Sequence, residues 1–264
     1  MVKIIAPQNG EVIIEIGAGH GELTLPLFEA CERVGAKLIA IEKDSSLAKD
    51  LEFSLPAEAL AKAGIQNLGT KKLPVVIHDD ALQFFKSFPE SHILNSISSY
   101  KVVGNIPYYL TGYLLRIIGE LAQKPSRCVF TLQQEVAERL CASPPRMNRL
   151  AAAVGFWATP SLVAHIPKEY FRPPPKVDSV IVMLKTRGVK YETQAAADAY
   201  YRALRLLFRQ PRKTILNNLA AAFSEKSRRE ITERLRALHI NPSDRPENLS
   251  VPDISLIAST FLCV

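Results

Sequence analysis

Short β-branched runs alternate with longer stretches of helical periodicity over the first two thirds of the chain. EVIIEI at 11–16, KLIAIE at 37–42, PVVIH at 74–78, YKVVG at 100–104, RCVFTL at 127–132, SLVAHI at 161–166 and VDSVIVMLK at 177–185 are the predicted strands. Several are almost continuously apolar, the habit of strands covered on both faces. Between them, residues 21–34, 45–62, 110–122, 133–142 and 147–157 carry apolar positions at helical spacing. Strands alternating with helices predict an α/β fold built on a parallel sheet. The last two strands are joined through FRPPPK, too short for a helical crossover but adequate for an antiparallel return. The expectation is a seven-stranded Rossmann-like sheet whose final strand is reversed.

After Lys185 the pattern changes to helices alone, near 193–209, 212–223, 226–238 and from Val251 onward, with Asn241, Pro242 and Pro246 punctuating the last gap. A boundary near Gly188 divides a domain at 1–187 from a helical one at 188–264. Charge follows the same division. Residues 185–264 hold 14 Lys/Arg against 8 Asp/Glu, whereas residues 1–184 hold 19 against 18. A basic helical segment after a near-neutral one suits phosphate binding, since neutralising phosphates releases counterions and supplies sequence-independent affinity. Cys31, Cys128, Cys141 and Cys263 lack CxxC spacing, so neither zinc nor a disulfide framework is indicated and no metal is expected. No stretch approaches a membrane span, and MVKIIAPQNG is too short and polar for a signal peptide. The chain is expected to be soluble, cytoplasmic and monomeric.

Candidate chemistry collects at the predicted strand ends. Gly17-Ala18-Gly19-His20-Gly21 follows the first strand and opens a helix, where glycines permit a tight turn and close approach of a ligand. A dinucleotide fingerprint needs a third glycine where Glu22 stands, and a carboxylate there disfavours a polyphosphate. Glu42, ending the second strand, is placed to accept bonds from two ribose hydroxyls. In His78-Asp79-Asp80, after the third strand, Asp80 rather than Asp79 is the candidate acceptor for an adenine amine. The most specific segment is Gly104-Asn105-Ile106-Pro107-Tyr108-Tyr109. An exocyclic amine has its lone pair delocalised into the ring and is a poor nucleophile. Acceptors that hold its two hydrogens, an Asn oxygen and the adjacent main-chain carbonyl, draw it towards tetrahedral geometry. Proline stiffens such a turn and an aromatic stacks on the base.

VIIEIGAGHGELTLPL, IAIEKD, HDDAL, KVVGNIPYYLTGYLL, FTLQQEVAERL and FRPPPKVDSVIVMLK resemble, in order and spacing over nearly the whole chain, the rRNA adenine N6,N6-dimethyltransferases, bacterial KsgA and its archaeal and eukaryotic relatives. The resemblance implies a class I methyltransferase fold, S-adenosylmethionine as donor, and a base flipped into a pocket at Asn105. It places Gly17, Gly19, Gly21, Glu42, Asp80 and Asn105 around the cofactor. Asn105 and the Ile106 carbonyl take the amine, Pro107 shapes the turn, Tyr108 stacks on the adenine and Phe171 forms the opposing wall. Arg205, Arg209, Arg212 and Lys213 are the expected RNA contacts, with the three arginines near one helical face.

Two branches share these motifs. Small-subunit enzymes dimethylate two adjacent adenines near the 3′ end of small-subunit rRNA during ribosome assembly, and Erm-type enzymes modify one adenine of the large-subunit RNA. Ile106 resembles the Erm form, but FRQPRKTILNNL and INPSDRPENLSVPDISLIA resemble the C-terminal domain of the small-subunit branch, which is preferred. Two departures stand out. Relatives carry a basic stretch ending in a GQxFL-like motif and a further helix before the first strand, a segment expected to be missing here. Pro211 also interrupts their basic helix. Two other readings are an RNA-binding assembly factor without turnover, and a nicotinamide-dependent oxidoreductase, which the broken glycine spacing disfavours.

Overall fold

The computed structural model describes residues 1–52, 75–87, 99–107, 110–188 and 194–262. Seven strands, β1 Val12–Ile16, β2 Lys37–Glu42, β3 Val75–His78, β4 Tyr100–Asn105, β5 Arg127–Gln133, β6 Ala158–Ile166 and β7 Ser179–Thr186, form one sheet in the order β3-β2-β1-β4-β5-β7-β6. The β1–β2, β1–β4, β2–β3 and β4–β5 pairs are parallel, and β7 runs antiparallel to β5, as the alternating pattern and Pro-rich return predicted. Strand order reverses between β1 and β4, and ligands of open α/β sheets collect outside the carboxyl ends of strands at such a switch point. Ile13, Val103 and Val129 of three successive strands pack with Leu27 and Cys31 of the helix Thr24–Val34.

Helix ends follow their caps. The helices Arg149–Gly155, Ile215–Ala222 and Arg228–Ala237 begin after Asn148, Thr214 and Ser227, each of whose side chains accepts a backbone N–H of the first turn. The expected starts at 147, 212 and 226 thus fall two to three residues early. Two short helices lay outside the sequence-based expectation, the single turn Val2–Ile5 and Ala81–Ser87. A helix begins at residue 45 and is described to residue 52; the rest of the 45–62 expectation lies outside the described residues.

By compactness the chain divides into two units, residues 1–137 with 161–186, and 138–160 with 187–264. A single cut at Gly188 misses the 138–160 segment, whose grouping has a packing cause within the second unit. Phe156 stacks on Tyr200 with ring centroids 3.9 Å apart, and the Tyr200 hydroxyl donates to the Ala152 carbonyl at 2.9 Å. Of the four cysteines, Cys31 and Cys128 are buried free thiols and Cys141 is half-buried and free; Cys263 lies outside the described residues. No described helix is long and apolar enough to cross a membrane.

The first helical turn is tied to the sheet by two cations. Arg127 donates to the Ile4 carbonyl at 2.7 Å, and buried Lys101 donates to the Ala6 carbonyl at 2.7 Å while pairing with Glu11 at 2.6 Å. Removing one partner of a buried pair strands the other. Lys101→Met is therefore expected to lower the unfolding free energy by about 3 kcal/mol, with Lys101→Met/Glu11→Gln recovering part of the loss. Urea titrations of the three proteins check this.

Candidate active site

The turn after β1 is built on three glycines at positive φ, Gly17 at 69°, Gly19 at 56° and Gly21 at 86°. L side chains adopt this region at a cost, so the GxGxG spacing is a backbone requirement. The Gly17 N–H donates to the Ile41 carbonyl at 2.9 Å, which carries the β1–β2 pairing into the turn. Glu42 then locks it. One carboxylate oxygen accepts the Gly19 N–H at 2.8 Å and the other the Asp44 N–H at 2.9 Å. A carboxylate offers about four acceptor positions. Glu42 is thus oriented by the backbone and keeps capacity for hydroxyl donors.

Beneath this turn lies a polar side chain that the sequence reading passed over. Glu15 is 1% exposed, in a strand otherwise wholly apolar, with Ala40 and Val103 as its cross-strand neighbours. Neither its Oε2 nor the buried Thr24 hydroxyl completes a hydrogen bond of normal geometry. Burial pushes the Glu15 carboxyl up to about 7, a rise that the nearby Thr24 hydroxyl opposes and the Glu42 charge adds to. Orphaned buried acceptors next to a glycine cradle fit a ligand that brings positive charge and hydroxyls.

Asp80 is held differently. Its Oδ1 accepts the Leu82 N–H at 2.8 Å, capping the helix Ala81–Ser87, and its Oδ2 pairs with Lys43 at 2.9 Å. The Lys43 hydrogen bond holds its carboxyl below the usual range. Lys43 was not singled out from sequence, although it directly follows Glu42. Asp79 accepts the Asp80 N–H at 2.7 Å and donates its own N–H to the Glu42 carbonyl at 3.0 Å, so the β2 and β3 ends are joined through the backbone.

Asn105 ends β4 with its residue exposed, and its register partner is Thr131 of β5. A Cβ on Gly17 would stand 3.8 Å from the Asn105 carbonyl, so the glycine turn and the Asn105 turn meet main chain to main chain. That approach depends on Gly104, where a Cβ would lie 2.5 Å from the Ile16 carbonyl. Ile106 is 2% exposed, which pins the turn while Pro107 stays at the surface and accepts the Leu110 N–H at 2.9 Å. Tyr108 and Tyr109 lie outside the described residues. Phe171 is half-buried and closes a 3-10 turn, Lys168–Tyr170. Asp178 anchors that loop to the end of β5. It accepts the Lys168 N–H at 3.0 Å, lies 3.3 Å from His165, and takes the Gln134 N–H on its carbonyl at 3.0 Å. Gly17, Gly19, Gly21, Glu42, Asp80 and Asn105 therefore stand at the carboxyl ends of β1, β2, β3 and β4, with the Phe171 loop tied beside β5.

The basic residues of the second unit depart from the expected helical face. The helix Gln194–Leu207 carries Arg205, but Arg209, Arg212 and Lys213 stand on the following loop, all exposed. Pro211 lies in that loop, and buried Asn218 organises it by donating to the carbonyls of Gln210, Lys213 and Thr214 at 3.1, 3.3 and 3.1 Å. Among the described residues no group of His, Cys, Asp and Glu is placed to hold a metal ion.

Residues 1–261 match the family model described as ribosomal RNA adenine dimethylase. The ribosomal RNA small subunit methyltransferase A of Pelotomaculum thermopropionicum is 34% identical over 99% of this chain and 85% of its own length. The protein of the same name from Actinobacillus pleuropneumoniae is 33% identical over 98% and 82%. Among solved structures, a dimethyladenosine transferase from Plasmodium falciparum superposes with a TM-score of 0.70 at 23% identity, over 97% of this chain and 92% of its own. The 23S rRNA methyltransferase ErmE superposes at 0.67 and 21%, over 98% and 94%. These two likenesses speak for the fold.

The raised Glu15 carboxyl has a stability consequence. Above its ordinary value near 4.5 the unfolded chain ionises freely while the folded chain retains the proton, so folding binds a proton and stability falls as pH rises towards 7. The destabilisation is complete above that value and amounts to about 3 kcal/mol. Glu15→Gln is expected to melt higher than the parent at pH 8 and alike at pH 4.5, by thermal unfolding at both; an equal difference at the two pH values would contradict the burial argument.

Proposed function

The chain belongs to the ribosomal RNA adenine dimethylase family, and from that membership we propose the finer reading that it dimethylates the N6 amines of two adjacent adenines near the 3′ end of small-subunit rRNA, with S-adenosylmethionine as donor, during ribosome assembly. Its activity is that of an rRNA adenine dimethyltransferase. The small-subunit target is favoured by relatives at 33–34% identity that bear that name across almost the whole chain. The observation that supports the mechanism is the meeting of the Gly17 and Asn105 turns at adjacent strand ends, where a cofactor cradle and a base pocket would adjoin.

Gly17, Gly19 and Gly21 would admit the cofactor close to the main chain, Glu42 would accept its ribose hydroxyls, and Glu15 with Thr24 would offer acceptors beneath. When bound, S-adenosylmethionine supplies an electrophilic methyl on a sulfonium whose leaving group is a neutral thioether, so no strong general base is needed. Asn105 and the Ile106 carbonyl hold the amine hydrogens of the flipped base. The buried Ile106 side chain keeps that carbonyl from swinging, and Phe171 supplies an aromatic wall. Acceptors that strengthen as the nitrogen becomes tetrahedral act on the transition state more than on the bound base. The amine proton leaves once the nitrogen is cationic, when water suffices to take it.

The decisive measurement is transfer of labelled methyl from S-adenosylmethionine to unmethylated small ribosomal subunits, with large-subunit RNA in parallel and the product nucleoside identified. Dimethyladenine in the small-subunit RNA is expected. Label only in the large-subunit RNA would move the chain to the Erm branch, and RNA binding without label would make it an assembly factor. Asn105→Ala should keep the melting temperature and cut turnover by about two orders of magnitude or more, the size of effect seen when one transition-state hydrogen-bond partner is lost. Replacing Arg205, Arg209 and Arg212 together should weaken RNA binding and flatten its salt dependence by about one unit per cation; an unchanged slope would place the footprint elsewhere.

A further inference from the structure

Two cations converge on one aromatic ring at the surface of the first unit. Lys86, near the end of the helix Ala81–Ser87, sets its Nζ 5.4 Å from the Tyr113 ring centroid, and Arg116 sets its Cζ 4.8 Å from the same centroid. Tyr113 and Arg116 lie three residues apart on the helix Thr111–Glu120, hence on one face. All three residues are exposed, Tyr113 to 37%. A cation over an exposed ring is held only weakly, and here a second cation is drawn to the same place against their mutual repulsion. Compensation is slight. Among the described residues the carboxylate paired with this set is Glu120, 4.0 Å from Arg116 and itself half in water. The local potential registers on the phenol, which Lys86 holds below its ordinary range by hydrogen bond and charge, with Arg116 adding to the effect.

Two cations and a phenol in one exposed patch offer more donors than the phenol oxygen and Glu120 take up, which leaves a place for a further acceptor. Phosphate oxygens supply one, through charge-assisted bonds to Lys and Arg and a neutral bond from Tyr. Position narrows the source. Tyr113 sits in the first turn of the helix Thr111–Glu120, which follows β4 and its Asn105–Pro107 turn in the chain. We propose that Lys86, Tyr113 and Arg116 bind a backbone phosphate of the substrate RNA next to the adenine to be methylated, an inference that rests on the RNA methyltransferase reading above. This contact is made by residues of the first unit alone and serves to set the register of the flipped nucleotide.

The test is the salt dependence of binding to a labelled transcript of the 3′ end of small-subunit rRNA, followed by anisotropy at several KCl concentrations. The double variant Lys86→Gln/Arg116→Gln is expected to bind about tenfold more weakly at low salt, with a slope reduced by about one unit per cation that meets phosphate. Its melting temperature and its calorimetric affinity for S-adenosylhomocysteine should match the parent. Tyr113→Phe, which keeps the ring and loses the donor, should weaken binding less and leave the slope unchanged. A parental slope in the double variant overturns the proposal, and if the melting temperature also falls the cluster is an internal brace. A parent chain that neither binds nor methylates the RNA overturns the function reading as well, a result the variants alone do not produce.

Discussion

The hydrogen bond from the Gly19 N–H to the Glu42 carboxylate is the constraint around which the site is arranged. Three positive-φ glycines in five residues make a turn with little conformational preference of its own. What selects one conformation is an acceptor fixed at the end of the neighbouring strand. Glu42 is fixed in turn by the Asp44 N–H and by its buried position in β2. A charged acceptor makes these bonds stronger than neutral ones. With the turn held, Gly17 lies against the Asn105 carbonyl, and the absence of a Cβ at Gly104 lets β1 and β4 close to that distance. The glycine turn and the Asn105 turn are thus parts of one backbone arrangement, and a change in Gly17 or Gly104 reaches both.

How much of this was legible in the sequence depends on the range of the interaction. Strands buried on both faces read as continuous apolar runs, which is why β1, β2, β4, β5 and β7 were recoverable from pattern alone, while β6, with mostly exposed and half-buried residues, began earlier than its apolar run suggested. Helix termini were readable in principle, because Asn148, Thr214 and Ser227 are ordinary capping residues, but apolar periodicity ran past them. Asp80 shows the limit of reading one residue for one purpose. It was taken as a ligand acceptor, and it is also the cap of a helix that the apolar pattern did not reveal. Gly104 and the pairing of Lys101 with Glu11 carry no local signal, since each is defined by atoms brought near by the sheet. The grouping of residues 138–160 with the C-terminal helices is of the same kind, resting on aromatic contacts such as Phe156 with Tyr200.

The two carboxyls flanking Glu42 are driven in opposite directions, and the difference bears on what the pocket accepts. Asp80 has Lys43 at 2.9 Å and a helix N–H, so it stays ionised with its charge already answered. Glu15 has burial, which raises its carboxyl to about 7, an acidic neighbour that adds to the rise, and no completed bond on Oε2. A group in that condition responds to whatever enters. A cationic ligand favours its ionised form and releases a proton, whereas an anionic one meets Glu42 and a carboxyl that resists charging. The cations that suit a polyanion stand elsewhere, on the helices and loop carrying Lys86, Arg116, Arg205, Arg209, Arg212 and Lys213, all in water. Exposed charges act over roughly a Debye length of about 10 Å, whereas a buried carboxyl such as Glu15 is screened far less. On the proposed reading, a cationic methyl donor and a polyanionic acceptor call for this difference between buried acids and exposed bases, which burial provides without any change of net charge.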